Sequence, residues 1–167
     1  MAILATERLL LREFVPGDAD ALAAVISDPE TMRFYPAPRD RAGVESWIER
    51  NRRRYRDDGH GLWAMIWRSS GGVIGDCGLT RQTVDGVDEI EIGYHVRRDL
   101  WGQGLAPEAA GACRDYGFER LSAERLISLI RPQNLPSRRL AEKVGLSWWK
   151  EVMWRDLLHC VYVIRTS

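Results

Sequence analysis

The chain has 167 residues, 45% hydrophobic and 29% charged, and its 24 basic and 24 acidic side chains cancel to a formal net charge of zero. That length suits a single domain, residues 1–167, with a real hydrophobic core. The charge balance supplies no basic field for nucleic acid or an anionic membrane, and no window approaches ~18 uninterrupted apolar residues, so neither partner is expected.

The N-terminus "MAILATERLLLREF" meets charge too soon for a secretory leader, so a cytoplasmic location is expected. Within it "ERLLLREF" (7–14) reads as a strand ended by Pro16-Gly17. "DADALAAVISDPETMRFY" (18–35) has helical apolar spacing, with Asp18 as its cap and an interruption near Pro29. A second helix covers "RAGVESWIERNRRRYRDDG" (41–59), with Val44, Trp47, Ile48 and Tyr55 on one side and Gly59 as its stop. The basic run inside it, "ERNRRRYRDD" (49–58), is flanked by acids and reads as a solvated helix face rather than a phosphate-binding stripe.

The period then changes. "GLWAMIWR" (61–68), "GGVIGDCGLT" (71–80) and "EIEIGYHV" (89–96) read as consecutive strands joined by glycine-containing turns, an antiparallel meander. A helix follows from Pro107 to about Leu121, with a small-residue stripe (Ala109, Ala110, Cys113, Gly117) suited to close packing on a sheet. "ERLISLIR" (124–131) is a buried strand, "NLPSRRLAEKVGL" (134–146) a short helix, and "SWWKEVMWR" and "LHCVYVIR" are final strands. The expected class is α+β, a mixed, mostly antiparallel sheet of about seven strands with about four helices. Cys77, Cys113 and Cys160 are odd in number and far apart, and the three histidines are scattered, so neither a disulfide framework nor a metal site is expected.

"RRDLWGQGLAPEA" (97–109) stands out. Pro107 fits the first helical position, and the cap then falls near Ala106, which has no oxygen to offer the free amides of the first turn. Gly102 and Gly104 can take positive φ and bring backbone close to a ligand. Uncapped amides at the positive end of a helix dipole make an anion cradle; the alternative is a plain strand-to-helix turn. A Walker A loop would need Gly-Lys-Ser/Thr, which is absent, and a dinucleotide fingerprint would have glycine where Pro107 stands.

"EIGYHVRRDLWGQGLAPEA" (91–109), followed by "NLPSRRLAEKVGL", closely resembles the GNAT N-acetyltransferase superfamily, in particular the branch of ribosomal-protein N-terminal alanine acetyltransferases. The resemblance runs from Thr6 to about Ile164. It implies that the loop Trp101-Gly102-Gln103-Gly104-Leu105-Ala106 holds the pyrophosphate of acetyl-CoA, the cosubstrate, with Trp101 in place of the usual Gln or Arg. It further implies that the strand edge at Tyr94, His95 and Val96 and the side chains of Asn134, Ser137 and Arg138 complete the cosubstrate site. It also leads one to expect an amine acceptor, either a peptide N-terminus or a small molecule, and a monomer or homodimer.

Acetyl transfer needs a neutral amine, yet an α-amine titrates near ~8 and a lysine near ~10.4, so a base is required. Glu89 and Glu91 sit two apart on one strand and share a face, and the "E-I-G-Y" match favours Glu91, acting directly or through water. Backbone amides near Val96 are the expected oxyanion donors. Many members carry a tyrosine general acid four residues before the glycine of "EKVGL"; this chain has Ala141 there. Ser137 is then the residue to protonate or hydrogen-bond the thiolate, with helix capping as its other reading. "RFYPAPRD" (33–40) and Trp47 are expected at the rim of the acceptor cleft. A catalytically silent CoA-binding sensor remains the alternative to an enzyme.

Overall fold

The N-terminal segment forms two strands where one was expected. In the computed structural model, which describes all 167 residues, β1 (Ala2–Ala5) pairs antiparallel with β2 (Leu9–Arg12). The four residues of β1, AILA, are apolar throughout and show none of the alternation by which a half-buried strand is read. A 3-10 turn at Pro16–Asp18 leads into α1 (Ala19–Ile26). The interruption expected near Pro29 ends the helix at Ile26, and the residues after it form turns rather than more helix. Asp28 precedes Pro29, a position that disfavours helical backbone, and its carboxylate instead accepts the Thr31 amide and hydroxyl in a turn. Asp18 does not cap α1 with its side chain. Its carboxylate accepts the Val15 N–H and pairs with Arg12 at 2.8 Å.

α2 (Arg41–Asp58) starts at Asp40, whose side chain accepts the Gly43 N–H, and ends at Gly59 in the left-handed region, as expected. β3 (Leu62–Trp67), β4 (Val73–Val84) and β5 (Val87–Val96) form the antiparallel meander. Then come α3 (Leu105–Arg120), β6 (Arg125–Ile130), α4 (Leu135–Lys143) and the hairpin β7 (Ser147–Trp154) and β8 (Leu157–Arg165). All eight strands lie in one sheet of order β1-β2-β3-β4-β5-β6-β8-β7, and only β5–β6 is parallel. The α+β class holds, with four α-helices and eight strands rather than about seven.

Each face of the sheet buries its own core. On one side α3 lays Ala109, Ala110 and Cys113 against Trp63, Leu79, Ile92 and Leu126. The small-residue stripe allows this approach: a Cβ on Gly117 would stand 2.9 Å from a Leu126 methyl. On the other side Leu22, Val44, Trp47 and Ile48 of α1 and α2 cover Leu62, Ala64 and Ile66. No helix is long and apolar enough to cross a membrane.

The sheet has one seam. β5 and β6 share a single paired position, Glu91 with Ile127. Above it, side chains replace ladder hydrogen bonds: Ser128 Oγ donates to the Ile92 carbonyl at 2.9 Å, and the Leu129 N–H donates to a Glu91 carboxylate oxygen at 2.9 Å. Backbone groups toward the C-terminal ends of both strands are thereby left to other partners.

Candidate active site

The glycine-rich loop forms a cradle, and α3 starts earlier than its sequence suggests. Gly104, at φ 78°, is the cap residue, so Leu105 and Ala106 belong to the first turn and Pro107 is its third residue. Proline is still tolerated there, because the first backbone acceptor–donor bond closes one residue later, from the Glu108 N–H to the Gly104 carbonyl. The amides of Leu105 and Ala106 head the helix without a side-chain cap. Gly102, at φ 80°, and Gly104 both need the left-handed region that glycine adopts freely. Arg8 fastens this loop to the sheet. Its guanidinium donates to the Gln103 carbonyl at 2.8 Å and to Glu108 at 2.8 Å, while Thr6 also donates to Glu108. Burial alone would raise the Glu108 pKa, but the hydrogen bonds from Thr6 and Arg8 outweigh it and hold the carboxyl below its ordinary value.

The cradle opens into a cavity of about 430 Å³ lined by Tyr94, His95, Val96, Trp101, Gly102, Gly104, Leu105, Ala106, Asn134 and Ser137. Of the residues expected to hold the cosubstrate, Gln103 and Arg138 lie outside this lining. Gln103 contributes only its carbonyl to Arg8, and Arg138 is turned inward to donate to the Tyr162 hydroxyl and the Pro132 carbonyl. Arg139 and Lys143 stand at the cavity instead. Asn134 caps α4 by accepting the Ser137 N–H at 3.2 Å, so the Ser137 hydroxyl is left out of the cap.

A second cavity, about 220 Å³, lies across β5 and shares Phe34, Tyr35, Tyr94, His95, Asn134 and Ser137 with the first. Trp47 and the 33–40 segment do line it. Glu91 faces it and accepts hydrogen bonds from the Leu129 N–H and Gln82. Burial pushes the Glu91 pKa up to about 7, against the opposing pull of those bonds and of Arg155 and Arg54. Glu89 shares the strand face but is a buried partner of Arg125, bound through both oxygens at 2.8 and 2.7 Å. Of the two glutamates only Glu91 lines either cavity.

Tyr94 and His95 divide between the faces. The Tyr94 hydroxyl is buried and lines both cavities beside Ser137, and burial raises its pKa against an opposing pull from the Ser137 hydroxyl. The His95 ring nitrogens lie 2.8 Å from Asp76 Oδ1 and 2.9 Å from the Tyr35 hydroxyl, and Trp47 Nε1 donates to the other Asp76 oxygen at 3.0 Å. His95 thus reaches the larger cavity from a ring held by Asp76 and Tyr35. Ile92 and Val96 turn their carbonyls toward the seam, where Ser128 and the Trp101 indole N–H take them. By strand alternation the Tyr94 and Val96 amides point the same way.

The acetyltransferase (GNAT) domain family matches residues 8–147. The chain belongs to the GNAT acetyltransferase family. It is 35% identical over 150 residues to the uncharacterized protein YkkB of Bacillus subtilis (strain 168), covering 89% of this chain and 87% of that one. The crystal structure of an acetyltransferase from Agrobacterium tumefaciens superposes with a TM-score of 0.85 at 28% identity, over 98% of this chain and 94% of that one. A ribosomal-protein-S5-alanine acetyltransferase from Vibrio fischeri shares the fold, with a TM-score of 0.73 at 15% identity over 97% and 95% of the two chains.

As a GNAT member the chain is an acetyl-CoA-dependent N-acetyltransferase. The cradle fits that cosubstrate: uncapped amides and two positive-φ glycines suit a pyrophosphate, with Arg139 and Lys143 nearby as cations. Where the resemblance leads one to expect a tyrosine, α4 carries the buried Ala141, and Tyr94 brings a phenol to the cavity from β5 instead. No cysteine is set up as a nucleophile. Cys77 and Cys113 are buried with their sulfurs 3.6 Å apart, and that contact, with burial, pushes the Cys77 thiol well up. Sequence reasoning missed the Arg8–Glu108 clamp and the Asp76–His95–Tyr35 chain. Both join residues far apart in sequence, and no local spacing announces them.

Proposed function

We propose that this enzyme transfers acetyl directly from acetyl-CoA, held in the larger cavity, to a primary amine in the smaller one. The observation that carries this reading is the meeting of the two cavities at Tyr94, Asn134 and Ser137, beside the β5–β6 seam and next to Glu91. Glu91, with a pKa near neutrality, takes a proton from the acceptor ammonium, directly or through a water. The freed amine attacks the thioester carbonyl, and the Val96 amide stabilises the negative charge gathering on its oxygen. Such a donor contributes about 2.7–4 kcal/mol when well placed. As the carbon–sulfur bond breaks, Tyr94 or Ser137 returns a proton to the thiolate. Nitrogen gives up two protons in all. The first, taken from the ammonium by Glu91, is released to solvent. The second, lost from the tetrahedral adduct, matches the proton gained by the thiolate, so that the acetyl group ends on nitrogen and CoA leaves as the thiol.

The experiment is a thiol-release screen with acetyl-CoA against N-terminal peptides, amino-acid derivatives and polyamines, run beside thermal unfolding. At about 100 times its Kd the cosubstrate adds about 2.7 kcal/mol of stability. A melting shift with thiol release and an acetylated amine by mass supports the reading. A shift with no release from any amine points to a CoA-binding sensor, and no shift at all overturns the cradle assignment.

A further inference from the structure

The smaller cavity has a charge pattern that acetyl transfer by itself does not require. Five arginines line it: Arg39 before α2, Arg50 and Arg54 one turn apart on α2, Arg131 after β6, and Arg155 in the β7–β8 turn. Glu91 is the one carboxylate in that lining. None of the five arginines is ion-paired, whereas Arg52 and Arg56 on the same α2 both pair with Glu49. The buried Arg39 Nε has no hydrogen-bond partner at all. Arg50 and Arg54 are held below the ordinary guanidinium range, first by desolvation and then by the neighbouring cations. His159 adds no charge, because burial lowers its pKa.

A chain of zero net charge has gathered five unpaired cations from four segments around one small cavity. Like charges crowded into a partly desolvated site destabilise the fold unless an anion neutralises them. Guanidinium forks also match carboxylate and phosphate oxygens in geometry. Arg54 and Arg155 both act electrostatically on Glu91, so the cationic wall and the proton acceptor lie close together. That arrangement fits a molecule with an amine at one end and an anion a short distance away.

Resting on the N-acetyltransferase reading, we infer that the acceptor is a compact primary amine bearing a carboxylate, held by this arginine cluster with its amine at Glu91. A free amino acid and a peptide with an acidic residue near its N-terminus offer the same chemistry, and the test separates them.

The test measures kcat/KM with acetyl-CoA for matched acceptors. One arm compares β-alanine with β-alaninamide, a second compares dipeptide amides carrying Glu or Gln in the second position, and spermidine is the cationic control. The anionic member of at least one pair should be favoured by about 10-fold or more, and the arm that shows it identifies the source. Arg54→Gln and Arg155→Asn should each raise KM for that acceptor by about 10-fold, with KM for acetyl-CoA unmoved. Asparagine tolerates the φ of 51° at position 155, and the wild-type comparison stands even if a variant folds poorly. Equal kcat/KM within both pairs, or a preference for spermidine, overturns the inference while leaving acetyl transfer intact. Thiol release from no amine overturns both.

Discussion

The two cavities on either side of β5 are built from different materials. The larger takes its anion-binding character from backbone: two positive-φ glycines and the uncapped amides that open α3. The smaller takes its character from side chains on α2, β5, β6 and the β7–β8 turn. A backbone site must be written in consecutive residues, because only glycine, proline and the absence of a cap can make it. A side-chain site can be assembled from anywhere the fold brings together. The first therefore leaves a local signature, and the second leaves almost none.

Substitutions can push the two apart. The largest effect is expected from Glu91→Gln, which keeps the acceptor for the Leu129 N–H but removes the base. kcat should fall by about 100-fold or more while KM for acetyl-CoA stays put, and the rise in rate through pH 7 should vanish. An unchanged pH–rate profile takes the base role from Glu91. The same variant bears on stability. A carboxyl raised from 4.5 to about 7 binds its proton more tightly when folded, so it costs stability increasingly as pH rises between those values. Glu91→Gln should therefore melt above the wild type at pH 8 and close to it at pH 5. A wild type that melts higher at pH 8 contradicts this.

Next in size, Tyr94→Phe removes the buried phenol and Ser137→Ala the hydroxyl left out of the cap. The one that protonates the thiolate should lose about 10-fold or more in kcat, and the other little. Equal small losses in both would leave leaving-group protonation to solvent. On the cradle side, Gly104→Ala forces a side chain into φ 78° at about 1–2 kcal/mol, so KM for acetyl-CoA should rise about 10-fold with acceptor KM unchanged. The smallest effect belongs to Arg8→Ala, which frees the Gln103 carbonyl and Glu108. A rise of about 3-fold in KM for acetyl-CoA is expected, matching the loss of partly exposed hydrogen bonds. No change in KM would make the clamp purely structural.

Much of the fold was legible because its signals are periodic. Both long helices, the meander and the last hairpin follow from apolar spacing and turn residues. Ala2–Ala5 was not, because its four residues are apolar throughout and show no alternation, whereas the break near Pro29 that ends α1 was. The start of α3 was placed two residues late because Pro107 fits several positions of a first turn. In the smaller cavity, Glu91 was found through its strand motif. The run that holds Arg50 and Arg54 reads as a solvated face because acids flank it; Arg52 and Arg56 do pair with Glu49 there, but nothing in a helical sequence says which side the rest of the fold will cover. His95 was placed at the cosubstrate, and its ring proved to belong to Asp76 and Tyr35.

The central claim is that both cavities are filled at once and that acetyl passes directly between them. Initial velocities measured across a grid of acetyl-CoA and acceptor concentrations test it most directly. Intersecting double-reciprocal lines, with no acetylated protein in the absence of acceptor, are the predicted result. Parallel lines, with an acetyl group recovered on the enzyme, would contradict it.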